Sequence, residues 1–255
     1  MTKIAIAAAL LIATVLVGVA SVSFSPFGSA IAWTRGPTLA PSGRIASESR
    51  PTAPFTAVAF ALPGQLVLRQ GPVAPLAIEA DDNLLGEIES VVEDGKLKLR
   101  LRGDANVSGR PRIRIVATAP ELKAVSIAGS GDVIAEPLKA GDFSVSIAGS
   151  GDARFEDLRV DALTLSIAGS GDFKATGRTA KLAARIAGSG DIDASRLEAR
   201  QVSVAIAGSG DARVWATESL SASVAGSGDV RYYGDAKLHR TVVGSGEITR
   251  MGSAP

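Results

Sequence analysis

The chain has 255 residues, 46% of them hydrophobic, with 27 Lys and Arg against 26 Asp and Glu for a formal net charge of +1. Such a balance supplies no global field to draw nucleic acid or an acidic partner, so nucleic-acid binding is not indicated. Cys is absent and His239 is the single histidine, which removes thiol catalysis, disulfides, Cys-based zinc sites, lipid attachment at an N-terminal Cys and any scheme needing two histidines.

At the N-terminus Lys3 precedes an uncharged apolar run from Ile4 to Ala20, with small residues at Gly18, Ala20, Ser21 and Ser23. A positive start, an apolar stretch and small residues after it fit a secretory signal peptide over residues 1–24. The run of 17 is long for that purpose, so an uncleaved membrane anchor through residues 4–20 is the competing reading. From Gly36 to Pro54 four prolines (Pro37, Pro41, Pro51 and Pro54) stand among Ser, Gly and Thr without periodicity. That composition buries too little apolar surface to order itself, and residues 25–53 read as a linker.

The folded part is expected over 54–251. Its first portion, 54–120, is strand-like without repetition: Ala57 to Ala61, Leu66 to Leu68, Leu76 to Glu79, Lys96 to Leu101 and Ile113 to Val116. Gly64, Gly71-Pro72, Asp94-Gly95 and Gly109-Arg110-Pro111 separate these segments as turn signals. Leu84 to Val92 reads as one short helix or a longer connection. The portion is expected to cover an open strand edge at the start of the stack that follows.

Over 121–251 one phrase, an aliphatic residue followed by Ala/Val-Gly-Ser-Gly-Asp/Glu, is written seven times. Its acidic residues are Asp132, Asp152, Asp172, Asp191, Asp211, Asp229 and Glu247, at spacings of 20, 20, 19, 20, 18 and 18. Residues two and four before the Ile or Val are mostly apolar, as in Phe143 and Val145 or Leu163 and Leu165, with Ser or Thr between them. Strict alternation is the period of a strand with one buried face. A shorter alternation follows each corner, as in Ala153 and Phe155, and about 20 residues leave no space for a helical crossover. The arrangement that buries one face of every strand and keeps like residues in register is an all-β, single-stranded parallel β-helix of about seven rungs. The glycines then serve a corner of positive φ stacked on identical corners, and the Ser and Asp side chains are placed to accept amides which that corner leaves unpaired. In the last copy Arg240 occupies a position that is aliphatic or Ala in the others. A charge there needs solvent nearby, which marks a terminal rung.

The recurring Ile-Ala-Gly-Ser-Gly-Asp phrase, preceded by Pro54-Phe55-Thr56-Ala57-Val58 and Asp82-Asn83-Leu84-Leu85, resembles the GIN domain family, the autotransporter-adhesin head domain. The likeness covers roughly Arg50 to Arg250. It implies a right-handed β-helix in exported bacterial proteins, and no catalytic or binding residues come with it.

The acidic column is the one feature placed to carry chemistry. Stacked carboxylates repel unless they are hydrogen-bonded at the corner, spread apart, or bridged by cations. Acceptance of corner amides is the favoured reading. A calcium ladder through Asp132, Asp152, Asp172, Asp191, Asp211, Asp229 and Glu247 is the alternative, weakened by a period about twice that of the calcium β-roll. Gly-Ser-Gly lacks the following Lys-Ser/Thr of a phosphate loop. His239 reads as an exposed outward residue. Tyr232-Tyr233 with Trp215 reads as packing of the final rungs, with a ligand-stacking patch as the alternative. Neither catalytic residues nor a cofactor are expected.

The function expected is a non-catalytic adhesin head or binding module, exported to the periplasm, outer membrane or cell surface. A periplasmic structural or stress-related scaffold and a polysaccharide-active β-helix enzyme are the other classes. As partners, an unidentified surface ligand of glycan or protein type, membrane anchoring through residues 4–20 and end-to-end self-association stay open.

Overall fold

A computed structural model describes residues 36–103 and 105–254. The signal-peptide and anchor readings of residues 1–24 lie outside them. The described chain is all-β apart from one short helix, and its repeats wind into a parallel β-solenoid of about six turns. In chain order the strands are β1 (Thr38–Leu39), β2 (Ile45–Arg50), β3 (Ala57–Ala61), β4 (Gln65–Gln70) and β5 (Leu76–Asp81), followed by helix α1 (Asp82–Leu85). Then come β6 (Ile88–Glu93), β7 (Lys96–Leu101), β8 (Asn106–Val107), β9 (Ile113–Ala119), β10 (Ala124–Gly129) and β11 (Asp132–Ala135). The long strands β12 (Leu138–Gly149), β13 (Ala153–Gly169), β14 (Phe173–Gly188), β15 (Ile192–Gly208) and β16 (Ala212–Gly226) make most of the stack. It ends in β17 (Val230–Tyr233), β18 (Lys237–Gly244) and β19 (Ile248–Gly252).

Every copy of the phrase sits in register on the one before. Ile147 pairs with Ile127 and Ile167, and Gly149 with Gly129 and Gly169, through to Gly244 on Gly226. Alternation in the sequence therefore becomes columns through the stack. Ile127, Ile147, Ile167, Ile186, Ile206 and Val224 form one buried column. Phe143, Phe155 and Phe173 meet in the core, with ring centroids 5.4 and 5.7 Å apart in succession.

The N-terminal portion is more than a cap, which corrects the division of 54–120 from 121–251. β3 pairs in parallel with β10, setting Val58 against Val125 and Phe60 against Ile127, and β4 does the same with β11. β7 and β9 lie in parallel on β3 and β4. Two further layers thus belong to the solenoid. They escape repeat detection because Leu62-Pro63-Gly64 replaces Gly-Ser-Gly at the corner and because β5, α1 and β6 are inserted between β4 and β7.

The cap itself is antiparallel: β6 closes the edge of β7, β5 that of β9, and β2 that of β5. β2 lies within the stretch read as linker, so residues 45–50 are corrected to a strand. An edge strand is held by backbone bonds, which need little apolar surface from its own side chains. Arg50 fastens it, donating to the carbonyls of Leu85 at 2.6 Å and Ile88 at 2.5 Å. The buried carboxylate of Asp81 accepts the amides of Gly43 at 2.8 Å and Arg112 at 2.9 Å, which compensates its burial. The segment 84–92 resolves into the end of α1 and strand β6.

Among the described residues the opposite end is open. β18 pairs in register with β16 along one edge, and Val242 and Val243 on it are 39% and 68% exposed. Arg240, in register with buried Ala222, is exposed, as a terminal rung requires. Arg250, in register with Tyr232, turns its guanidinium outward to the Gly234 carbonyl and the Asp235 carboxylate.

Candidate functional site

The corner is built from the glycines upward. Gly169 has φ +130°, and a Cβ on it would stand 2.2 Å from the Gly149 carbonyl oxygen of the preceding coil. That carbonyl is needed where it is. It accepts the amides of Ser170 at 2.9 Å and Gly171 at 3.1 Å, and the same double acceptance recurs at Gly129, Gly169 and Gly226. The Ser amides from Ser150 to Ser245, and the second Gly amide in these four coils, are thus satisfied by main chain, not by serine hydroxyls, which corrects the expected role of Ser. The corner serines are exposed.

The acidic residues do accept corner amides. Asp132 Oδ1 receives the Asp152 N–H, and each later carboxylate receives the amide of the next, over six steps from 2.8 to 3.1 Å that end at the Glu247 N–H on Asp229. One oxygen of each Asp is committed to holding the next coil in register. Among the described residues no group of three or more His, Asp or Glu converges as metal ligands. Replacing Asp191 by Ala removes the acceptor of the Asp211 amide, 2.8 Å away, and is expected to cost about 1 kcal/mol. Asp191→Asn keeps an acceptor oxygen and should stay within about 0.5 kcal/mol of the parent. Equilibrium urea unfolding checks both, and equal losses would mean that the charge, as in cation binding, is what matters.

Two residues beyond each acid runs a column that sequence reasoning missed: Arg154, Lys174, Asp193, Arg213 and Arg231 stand outward on successive coils. The signal lies one outward position away from the acid and emerges only when that position is compared from coil to coil. Between the columns lies a shallow cleft of about 410 Å³, with Asp152, Asp172 and Asp191 on one side and Arg154, Lys174 and Arg213 on the other. Arg231 bridges Asp211 at 3.4 Å and Asp229 at 3.0 Å, and Lys174 pairs with Asp193 at 3.0 Å. Burial opposes ionisation of Asp193, but the Ser195 hydroxyl and amide and the Lys174 ammonium outweigh it, so its pKa lies below the ordinary carboxylate value. The groove is a strip of paired opposite charges.

His239 is exposed on the outer face of β18. The aromatic trio divides: Tyr232 is 7% exposed and belongs to the core, whereas Trp215 and Tyr233 are half-buried on the outer face, in register on adjacent coils. Tyr232 packs in the core of the final coils, and Trp215 and Tyr233 stand at their rim.

A family profile described as "Putative auto-transporter adhesin, head GIN domain" matches residues 54–236. Among solved structures, a "putative adhesin" from Bacteroides fragilis is 27% identical, with a TM-score of 0.79 over 84% of this chain and 100% of that one. A "putative lipid binding protein" from Parabacteroides distasonis is 26% identical, with a TM-score of 0.72 over 84% and 99%. A "putative adhesin" from Parabacteroides merdae, 22% identical with a TM-score of 0.64 over 84% and 99%, shares the fold. No curated protein matches.

Proposed function

Because this chain belongs to the family of auto-transporter adhesin head GIN domains, we propose that it is an exported, non-catalytic binding head presented on the bacterial envelope. The observation that carries this reading is the regularity of the corner columns. Catalysis needs unlike groups converging on one reacting atom. Here each coil repeats the acid and the small residues of the corner of its neighbour, giving a rigid array suited to extended contact. The adhesin descriptions of similar structures support the same reading, and the uncharged N-terminal run from Ile4 to Ala20 supports export.

The test is protease accessibility of the native protein on intact cells, with and without outer-membrane permeabilisation, alongside turnover assays on a polysaccharide panel. Cleavage on intact cells without turnover is the expected result. Protection until permeabilisation would replace surface display with an internal envelope scaffold, and turnover would overturn the non-catalytic reading.

A further inference from the structure

Five of the described aromatic side chains, Phe55, Phe60, Phe143, Phe155 and Phe173, are buried in the core, as is Tyr232. Trp215 and Tyr233 are the exceptions among the described residues, and they are neighbours. Through the stack their outward column runs Arg159, Arg178, Glu198, Trp215, Tyr233, so long polar side chains give way to aromatics at its end.

The backbone changes at the same place. Spacings of 19 or 20 residues fall to 18 for the last two coils. The shortening appears as a register shift between β15 and β16, where Ala194 pairs with Val214 but Glu198 already pairs with Trp215. Ser195, Arg196 and Leu197 therefore have no counterpart in the next coil. Trp215 and Tyr233 stand on the two coils that follow this shift, and form an aromatic ledge on the outer face. Gly234, after Tyr233, is held to glycine by the coil beneath it, since at φ +97° a Cβ there would lie 2.0 Å from the Ala216 carbonyl oxygen.

We propose that this ledge is a glycan-binding subsite in which Trp215 and Tyr233 stack on consecutive sugar units of an uncharged chain, a proposal that rests on the binding-head reading above. Spacing selects the ligand class. In-register residues on neighbouring parallel strands are about 4.8 Å apart, close to the advance of one pyranose unit in an extended chain. A polyproline helix repeats its face only every about 9 Å, so its prolines skip every second platform. Charge selects within the class. The rim carries Glu198, in register with Trp215, against Arg213, one outward position before it, and the ion pair of Arg250 with Asp235, which sum to zero while offering donors and acceptors to hydroxyls. A neutral rim gives no counterion-release gain to a nucleic acid. Stacking on faces of half-buried aromatics with a polar edge is the arrangement that suits the apolar face of a sugar ring.

The chain contains two tryptophans, Trp33 and Trp215, so in the intact protein carrying Trp33→Phe the indole fluorescence reports on Trp215 alone. This protein is tested on an array of neutral and acidic glycans, and those retained are titrated as soluble oligosaccharides, with a proline-rich peptide and single-stranded DNA in parallel. The expected result is saturable binding of a neutral glycan with a shift in Trp215 emission, weakened about tenfold or more by Tyr233→Ser and by Trp215→Ala. Tyr233→Ser retains the indole and serves if Trp215→Ala does not fold. Retention of no glycan, preference for the peptide or DNA, or glycan binding that both substitutions leave intact would each overturn the proposal. If either variant still attaches to cell surfaces as the parent does, the ledge is excluded while the binding head stands. If the parent attaches to none and is protected inside the envelope, the binding-head reading itself fails.

Discussion

Gly169→Val is expected to unfold the centre of the stack. The residue sits at φ +130°, where a β-branched side chain is strained, and its new Cβ would come within 2.2 Å of the Gly149 carbonyl oxygen. The coil below cannot retreat, because that carbonyl holds the Ser170 and Gly171 amides and Gly149 is itself stacked on Gly129. Left-handed strain alone contributes about 1–2 kcal/mol, and the broken corner bonds and displaced coil bring the loss to about 4 kcal/mol or more. For a domain of this size the melting temperature should fall by roughly 10 °C or further. Gly129 supplies the control, since it has φ +97° but a Cβ there meets no atom within 4 Å. Gly129→Val should show the strain and little else, about 1–2 kcal/mol. Equal losses at the two positions, measured by calorimetry, would mean that stacking of corners is not what demands glycine.

Phe155→Ala is expected to cost about 3–5 kcal/mol. The ring is 1% exposed and touches Phe143 edge-on and Phe173 at a tilt, with centroids 5.4 and 5.7 Å away. In a globular core the neighbours would close part of the void. Here the walls are strands fixed in register by hydrogen bonds above and below, so collapse is limited and the cost should sit at the upper end. Urea unfolding followed by far-UV circular dichroism gives the value. Because each coil contacts only its neighbours, a fall in the slope of the transition is also expected, as the two halves begin to melt separately. A loss below about 1 kcal/mol with unchanged slope would contradict this account of the core.

What was legible in the sequence follows from how local each determinant is. The repeat at 18 to 20 residues and the alternation around Ile127, Ile147 and Ile167 fix the strands, the columns and the buried face, since each depends on residues a few positions apart. The layers formed by β3 with β4 and by β7 with β9 were hidden, because the register of the first on β10 and β11 and of the second on the first is set by backbone pairing, and neither carries the Gly-Ser-Gly corner: Leu62-Pro63-Gly64 joins β3 to β4, and a longer connection through β8 joins β7 to β9. β2 was hidden for a related reason: its pairing with β5 depends on an available edge more than on its own side chains. At the site, the carboxylate-to-amide ladder could be read from the sequence because one stacked column suffices for it. The opposing column of Arg154, Lys174, Arg213 and Arg231 went unseen because nothing within one repeat marks it, and only comparison of outward positions across coils brings it out. Tyr232 and Tyr233 are adjacent in sequence and opposite in burial, as alternation dictates.

The open end with Arg240 and Arg250 in otherwise apolar columns has an evolutionary consequence. Since a coil senses only the coils on either side, duplicating or deleting one copy in the middle would lengthen or shorten the head by about 4.8 Å and change contacts only at the joint. The same event at the last copy would bury two guanidinium groups inside the stack. Reach can therefore drift by whole steps through unequal recombination within the gene, provided the final unit stays final. The arginines act as a full stop in a sentence whose middle is free to be rewritten.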